Sequence, residues 1–212
     1  MKKGLTFWLM IFAFLASSAC QPSGRGKTNS EAQQTILQPS PDAPESKAAE
    51  RYLVVYCSRS GNTAEVAAYL SQQLGGDLLE VKPATPYAEN YNDMLTRAQQ
   101  ELKESRQGHY PSIITEVDNL TDYDVILVGY PIWYGSMATP MQTFLHNHAD
   151  RLAGQRIALF ATSGSSAMTN STKEARALCP KATFLHPTLL LTSSTMRNYR
   201  ETIQKWLDEL SL

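Results

Sequence analysis

The sequence predicts an α/β domain built on an open five-stranded parallel sheet with helices on both faces. Three observations carry that prediction. From residue 51 onward, short apolar runs alternate with amphipathic segments, which is the pattern of repeated βα units. Val125-Ile126-Leu127-Val128 is apolar without alternation, as expected of a central strand covered on both faces. Leu53-Val54-Val55 gives way abruptly to Ser58-Arg59-Ser60-Gly61-Asn62-Thr63, and a helical pattern starts at once.

The elements follow in order. A first strand covers about 52–57. A first helix covers about 62–74, with Val66, Ala67, Leu70 and Leu74 at helical spacing and Gly75-Gly76 to end it. Leu78, Leu79 and Val81 form a second strand. Residues 91–106 form a polar helix that turns Met94, Leu95 and Ala98 inward. The third strand is Val125–Val128, and Met141, Phe144 and Leu145 belong to the helix after it. Ile157–Phe160 is the fourth strand, and residues 170–178 are helical up to Cys179-Pro180. Residues 182–191 hold a fifth strand, whose Pro187 marks it as an edge because proline cannot donate to a ladder. Ile203, Trp206, Leu207 and Leu210 give the last helix its apolar face. In such sheets ligands bind at the carboxyl ends of the strands, where the strand order reverses.

The N-terminus reads differently. Lys2 and Lys3 precede the apolar run Leu5 to Leu15, and Ala16-Ser17-Ser18-Ala19 leads to Cys20. The run is short for a membrane span and has the layout of an export signal over residues 1–19. A Cys directly after small residues resembles a bacterial lipoprotein cleavage site, which implies lipid on Cys20 and a membrane anchor. Such sites usually carry Leu where Ser17 stands, and ordinary signal cleavage at the same place is the alternative. No twin-arginine pair precedes the run, which implies export as an unfolded chain and a cofactor acquired outside the cytoplasm. Residues 20–50 are rich in Ser, Pro, Gln, Ala, Lys and Glu without periodicity, the composition of a disordered linker. Residues 51–212 are the folded domain. The chain's net charge of −1 favours no nucleic-acid partner.

Three stretches carry candidate chemistry. Ser58 to Thr63 reads as an anion cradle. Ser58, Ser60 and Thr63 offer hydroxyls, Gly61 admits close approach, and Arg59 adds charge. The amides at the start of the helix, from Asn62, point the same way. The loop lacks both G-x-G-x-x-G and a following Gly-Lys-Ser/Thr, so it is neither a dinucleotide fingerprint nor a P-loop. The second stretch is Gly129-Tyr130-Pro131-Ile132-Trp133-Tyr134-Gly135-Ser136-Met137, where two aromatics at a strand exit suit a flat apolar ring. The third is Thr162-Ser163-Gly164-Ser165-Ser166, small residues able to close over the ring's edge. Cys57 reads as a small packed residue and not as a nucleophile. A disulfide from it to Cys179 is disfavoured, because the two fall at opposite edges of the sheet. His146 and His148, two apart, do not share a helix face for a metal.

These stretches together resemble the flavodoxin-like family. Ser58 to Thr63 matches its S-x-[ST]-G-N-T phosphate loop. Tyr123-Asp124 through Gly135, Thr162-Ser163-Gly164, and Pro86-Tyr87 with Tyr91 match its other signatures in order and spacing. A second Gly often stands in the family where this chain has Ser165. The resemblance implies strand order 2-1-3-4-5 and FMN as cofactor. FMN would be held by Ser58, Arg59, Ser60, Gly61, Asn62 and Thr63 at the phosphate. Pro131, Ile132, Trp133, Tyr134 and Gly135 would lie at the ring, with Thr162, Ser163 and Gly164 at its edge. The implied function is electron transfer, to a redox partner protein or a small quinone-like acceptor. The alternative is a membrane-anchored binding protein for a phosphorylated ligand without redox turnover. Residues 51–212 hold sixteen acidic and fourteen basic side chains, so the domain lacks the acidity typical of shuttle flavodoxins that dock on basic partners.

Overall fold

A computed structural model describes residues 50–212. The export signal read over 1–19, Cys20 and the linker up to residue 49 lie outside the described residues. The described chain runs β1 (Tyr52–Tyr56), α1 (Asn62–Leu74), β2 (Asp77–Glu80), α2 (Tyr91–Ser105), β3 (Val125–Trp133), β4 (Ser136–Met137) and α3 (Thr139–His148). It continues through β5 (Arg156–Ser163), α4 (Thr169–Leu178), β6 (Thr183–Phe184), β7 (Leu189–Thr192) and α5 (Tyr199–Leu210).

The sheet is open and its long strands are parallel, in the order β2-β1-β3-β5 followed by β6 and β7. It departs from the expected five strands in two places. The fifth strand is split: β6 pairs with the start of β5 and β7 with its end. Between them lies Pro187, which has no N–H to offer β5. The Pro187 carbonyl instead accepts a hydrogen bond from Trp206 Nε1 at 2.7 Å, tying the interruption to α5. The third strand is longer than expected. It continues through Pro131, Ile132 and Trp133, then doubles back as an antiparallel hairpin in which Trp133 faces Ser136. The residues expected in a loop are therefore largely strand. Tyr134 and Gly135 form the two-residue turn with φ of 50° and 77°, the positive values that a tight hairpin of natural twist requires.

Alternation along the strands sorts the core onto two faces. Leu53, Val55, Ile126, Val128 and Tyr130 pack with Met141, Phe144 and Leu145 of α3 on one face. Val54, Val125, Leu127 and Phe160 pack with Val66 and Leu70 of α1 and Ile203 and Trp206 of α5 on the other. Each fully buried Leu or Ile in these layers is worth roughly 1.5–3 kcal/mol relative to exposure. Among the described residues no helix is long and apolar enough to cross a membrane.

Candidate functional site

The ladder brings the three candidate stretches together. Tyr56 pairs with Gly129, and Pro131 pairs with Thr162, so the carboxyl ends of β1, β3 and β5 lie side by side. A cavity of about 430 Å³ opens over them, within the ~300–1,000 Å³ common for small-molecule sites.

Part of its lining is the start of α1. Gly61 is the N-cap residue, at φ 90°, and no side chain caps the helix. The first intrahelical bond runs from Glu65 N–H to the Gly61 carbonyl at 2.9 Å. The amides of Asn62, Thr63 and Ala64 therefore have no acceptor within the helix. A Cβ on Gly61 would meet nothing within 4 Å, so the glycine is required by its φ and not by crowding. Ser60, Asn62 and Thr63 line the cavity here. The Thr63 hydroxyl is already engaged: buried, it shares a 2.8 Å hydrogen bond with the Thr162 hydroxyl and so staples the first stretch to the third.

Two of the expected anion ligands are placed differently. Arg59 lines the cavity, but its guanidinium Nη2 donates to the carbonyls of Ala88 (3.1 Å) and Glu89 (2.7 Å) and lies over the Tyr91 ring. It clasps the cradle to the segment leading into α2. Ser58 lies on a neighbouring cavity. Its Oγ is the one buried side-chain polar atom without a hydrogen-bond partner among the described residues. A hydroxyl held this way at the base of an anion loop lacks an acceptor, and a phosphate oxygen is a suitable one. The free amides, the unpartnered hydroxyl and the cavity all fit a phosphorylated ligand with a flat body.

The walls come from the hairpin. Pro131, Ile132, Trp133 and Tyr134 line the cavity, with Tyr134 half-exposed at its rim, and Gly135 supplies the turn that presents them. The hairpin is pinned from both sides: Met137 N–H donates to Glu174 of α4 at 2.8 Å, and Gln142 of α3 donates to the Met137 carbonyl at 2.7 Å. Thr162, Ser163 and Gly164 form the opposite edge. Ser163 Oγ accepts from Ser166 N–H at 2.7 Å, which rounds that loop.

Sequence reasoning missed the support behind Trp133. The Tyr87 ring meets the Trp133 indole edge-on at 4.9 Å between centroids. Tyr87 O–H donates to Glu101, which also accepts from Thr139 Oγ1 at 2.6 Å and Arg97 Nε at 2.7 Å. Arg97 in turn donates to the Thr85 and Pro86 carbonyls. Burial, and then the Glu101 bond, push the Tyr87 phenol far above its ordinary range, so it stays a neutral donor. The available signal was a carboxylate on the inward stripe of α2, next to Ala98 and Leu102, with Arg97 four residues before it. Met94, Leu95 and Ser193, also on the cavity, had no motif to announce them.

Cys57 and Cys179 are buried free thiols. Burial raises Cys57 from 9.0 to about 12 and Cys179 from 9.0 to about 11. A raised thiol pKa means that the folded state holds protons which the unfolded chain releases first, so this stability is complete below pH 9 and is lost above it. The urea midpoint is expected to hold from pH 7 to about 9 and to fall progressively towards pH 11. Cys57→Ala should flatten the early part of that fall. A midpoint independent of pH to 11 would remove the thiols from the stability balance. His146 stacks on Tyr110 and His148 meets Phe144 edge-on, so both rings serve packing.

The chain is similar to known proteins over this whole unit. The sequence profile of the family described as flavodoxin matches residues 51–210. A candidate flavoprotein from Bacteroides eggerthii DSM 20697 is 31% identical, with a TM-score of 0.66, over 77% of this chain and 99% of its own. Another, from Bacteroides uniformis ATCC 8492, is 28% identical with a TM-score of 0.63, over 76% and 99%. A flavoprotein from Lactobacillus acidophilus NCFM, solved in complex with FMN, shares the fold at 22% identity and a TM-score of 0.60, over 74% and 99%. No curated protein matches the chain. The profile match over most of the chain, on a fold whose site residues converge as described, places this protein in the flavodoxin family.

Proposed function

We propose that the domain binds FMN in the cavity over the carboxyl ends of β1, β3 and β5. We infer that the protein is an electron-transfer flavoprotein, or an FMN-dependent oxidoreductase, of the bacterial cell envelope. The observation that carries the cofactor is the bare start of α1, where the first amides have no intrahelical acceptors and Asn62 and Thr63 line a cavity walled by Trp133. Membership of the flavodoxin family supports the choice of FMN over other phosphorylated ligands.

FMN would supply the electron chemistry, and the chain binds, orients and shields it. The amides of residues 62–64 and the Ser60 hydroxyl hold the phosphate, and Ser58 gains its missing acceptor. Trp133 and Tyr134 flank the ring and exclude water from it. Thr162, Ser163 and Gly164 border its polar edge, and the Thr63–Thr162 bond holds the two ends of the site at a set spacing. The near-even charge of the domain suits a small quinone-like acceptor as well as a redox partner protein.

The test is a titration of the protein with FMN and with riboflavin. FMN should bind more tightly and give a yellow protein that bleaches with dithionite. Ser60→Ala should weaken FMN by about 1.5–3 kcal/mol, the loss of a hydrogen bond to a charged group, and leave riboflavin unchanged. Equal losses for both ligands would sink the phosphate assignment. A phosphorylated ligand bound without a visible spectrum would favour the redox-silent alternative.

The envelope reading rests on the export signal and on Cys20. Cys20→Ala is expected to move the protein from the membrane fraction to the soluble one and to remove an acyl mass from the mature chain. A wild-type mature protein without acyl mass would show ordinary signal cleavage instead.

A further inference from the structure

A second cavity of about 340 Å³ also borders Trp133. It opens over the carboxyl ends of β1 and β2 and shares Arg59, Pro131 and Trp133 with the larger one. Of the cradle it takes only Ser58 and Arg59, and the loop after β5 does not reach it. We propose that this cavity is a second ligand site, for a small, neutral, flat aromatic molecule that packs among Pro83, Pro86, Tyr87 and the same Trp133 that borders the FMN cavity.

Three features point to that class. The walls are apolar and rigid, formed by Val81, Pro83, Pro86, Tyr87 and Trp133. Prolines have fixed φ, and Tyr87 is locked by its bonds to Glu101 and Thr139, so the slot is preformed and little ordering opposes binding. Its charged groups are already satisfied. Lys82 and Glu80 pair at 3.2 Å, and Arg59 donates to the Ala88 and Glu89 carbonyls. An anion or cation would have to displace those partners, whereas a neutral molecule would not. Finally, Ile114 stands at the cavity, 63% exposed. Of the four large apolar side chains exposed in the described chain, Ile114 lines this cavity and Tyr91 and Tyr134 line the other. Exposed apolar surface gathered at cavity mouths marks ligand sites.

The relevance of the site to electron transfer rests on the FMN reading, but binding to it does not. The experiment titrates the full chain, without and then with FMN, with 1,4-naphthoquinone, read by quenching of Trp133 fluorescence. A Trp133→Phe protein sets the background. The comparator is the negatively charged 1,4-naphthoquinone-2-sulfonate. The neutral probe should bind with and without FMN, and the sulfonate at least tenfold more weakly. Ala84→Phe fills the slot from an exposed position without adding an indole and should weaken the neutral probe at least tenfold while FMN affinity stays unchanged. Ile114→Asp, which places a charge at the mouth, should act in the same direction. Competition between naphthoquinone and FMN would place the probe in the larger cavity and overturn the proposal. Equal binding by wild type and Ala84→Phe would overturn it too. A chain that binds the probe at this slot but never FMN would defeat the cofactor reading and support the second site.

Discussion

A Gly129→Val protein is expected to unfold at much lower urea than the wild type, with a loss of about 3 kcal/mol or more. Gly129 lies in the middle of β3, between the buried residues Val128 and Tyr130. A Cβ there would lie 2.0 Å from Cζ of Phe160 and 2.3 and 2.7 Å from its two Cε atoms. The ring is fully buried among Val54, Val66, Leu70 and Ile203, so it cannot swing away. The backbone cannot yield either, because the Gly129 carbonyl accepts from Cys57 N–H at 3.0 Å and β3 is paired on both sides. The missing side chain thus makes room for Phe160 on β5. Phe160→Leu in the Gly129→Val background should recover part of the loss, because the two sites compete for one space. A Gly129→Val protein with a wild-type midpoint would show that the ring has slack.

Glu101→Ala is expected to destabilise the fold by about 2–4 kcal/mol and to weaken FMN binding as well. The buried carboxylate accepts from Tyr87, Thr139 and Arg97, and its removal strands all three donors in or near the interior. The Arg97 side chain is 29% exposed and can find water, which keeps the loss below that of a fully enclosed ion pair. The effect on FMN would travel through Tyr87, whose ring braces Trp133 from behind. Tyr87→Phe should cost less stability than Glu101→Ala, because it keeps the ring contact and leaves Glu101 two donors. Urea unfolding measures the first effect and an FMN titration the second. FMN affinity unchanged in a folded Glu101→Ala protein would separate the buried network from the ring wall.

Period and punctuation alone made most of the architecture legible. Alternating apolar segments, the unbroken run Val125–Val128 and the glycines closing α1 are local signals, and the helices begin and end close to where they point. The cradle was legible for the same reason, since a strand that empties into small hydroxyl residues at a helix start needs no distant partner to be recognised. Tertiary structure decided what depends on pairing. The extension of β3 through Trp133 requires β5 and β4 as ladder partners, and the split of the fifth strand follows from where Pro187 falls against β5. Arg59, read as an anion ligand, was claimed by two carbonyls 29 and 30 residues away. Thr63 was claimed by Thr162 and Trp133 by Tyr87, contacts whose partners lie 99 and 46 residues apart. A sequence displays the chemistry that each side chain carries. Which partner satisfies that chemistry is settled only when folding removes water and the nearest donor or acceptor takes its place.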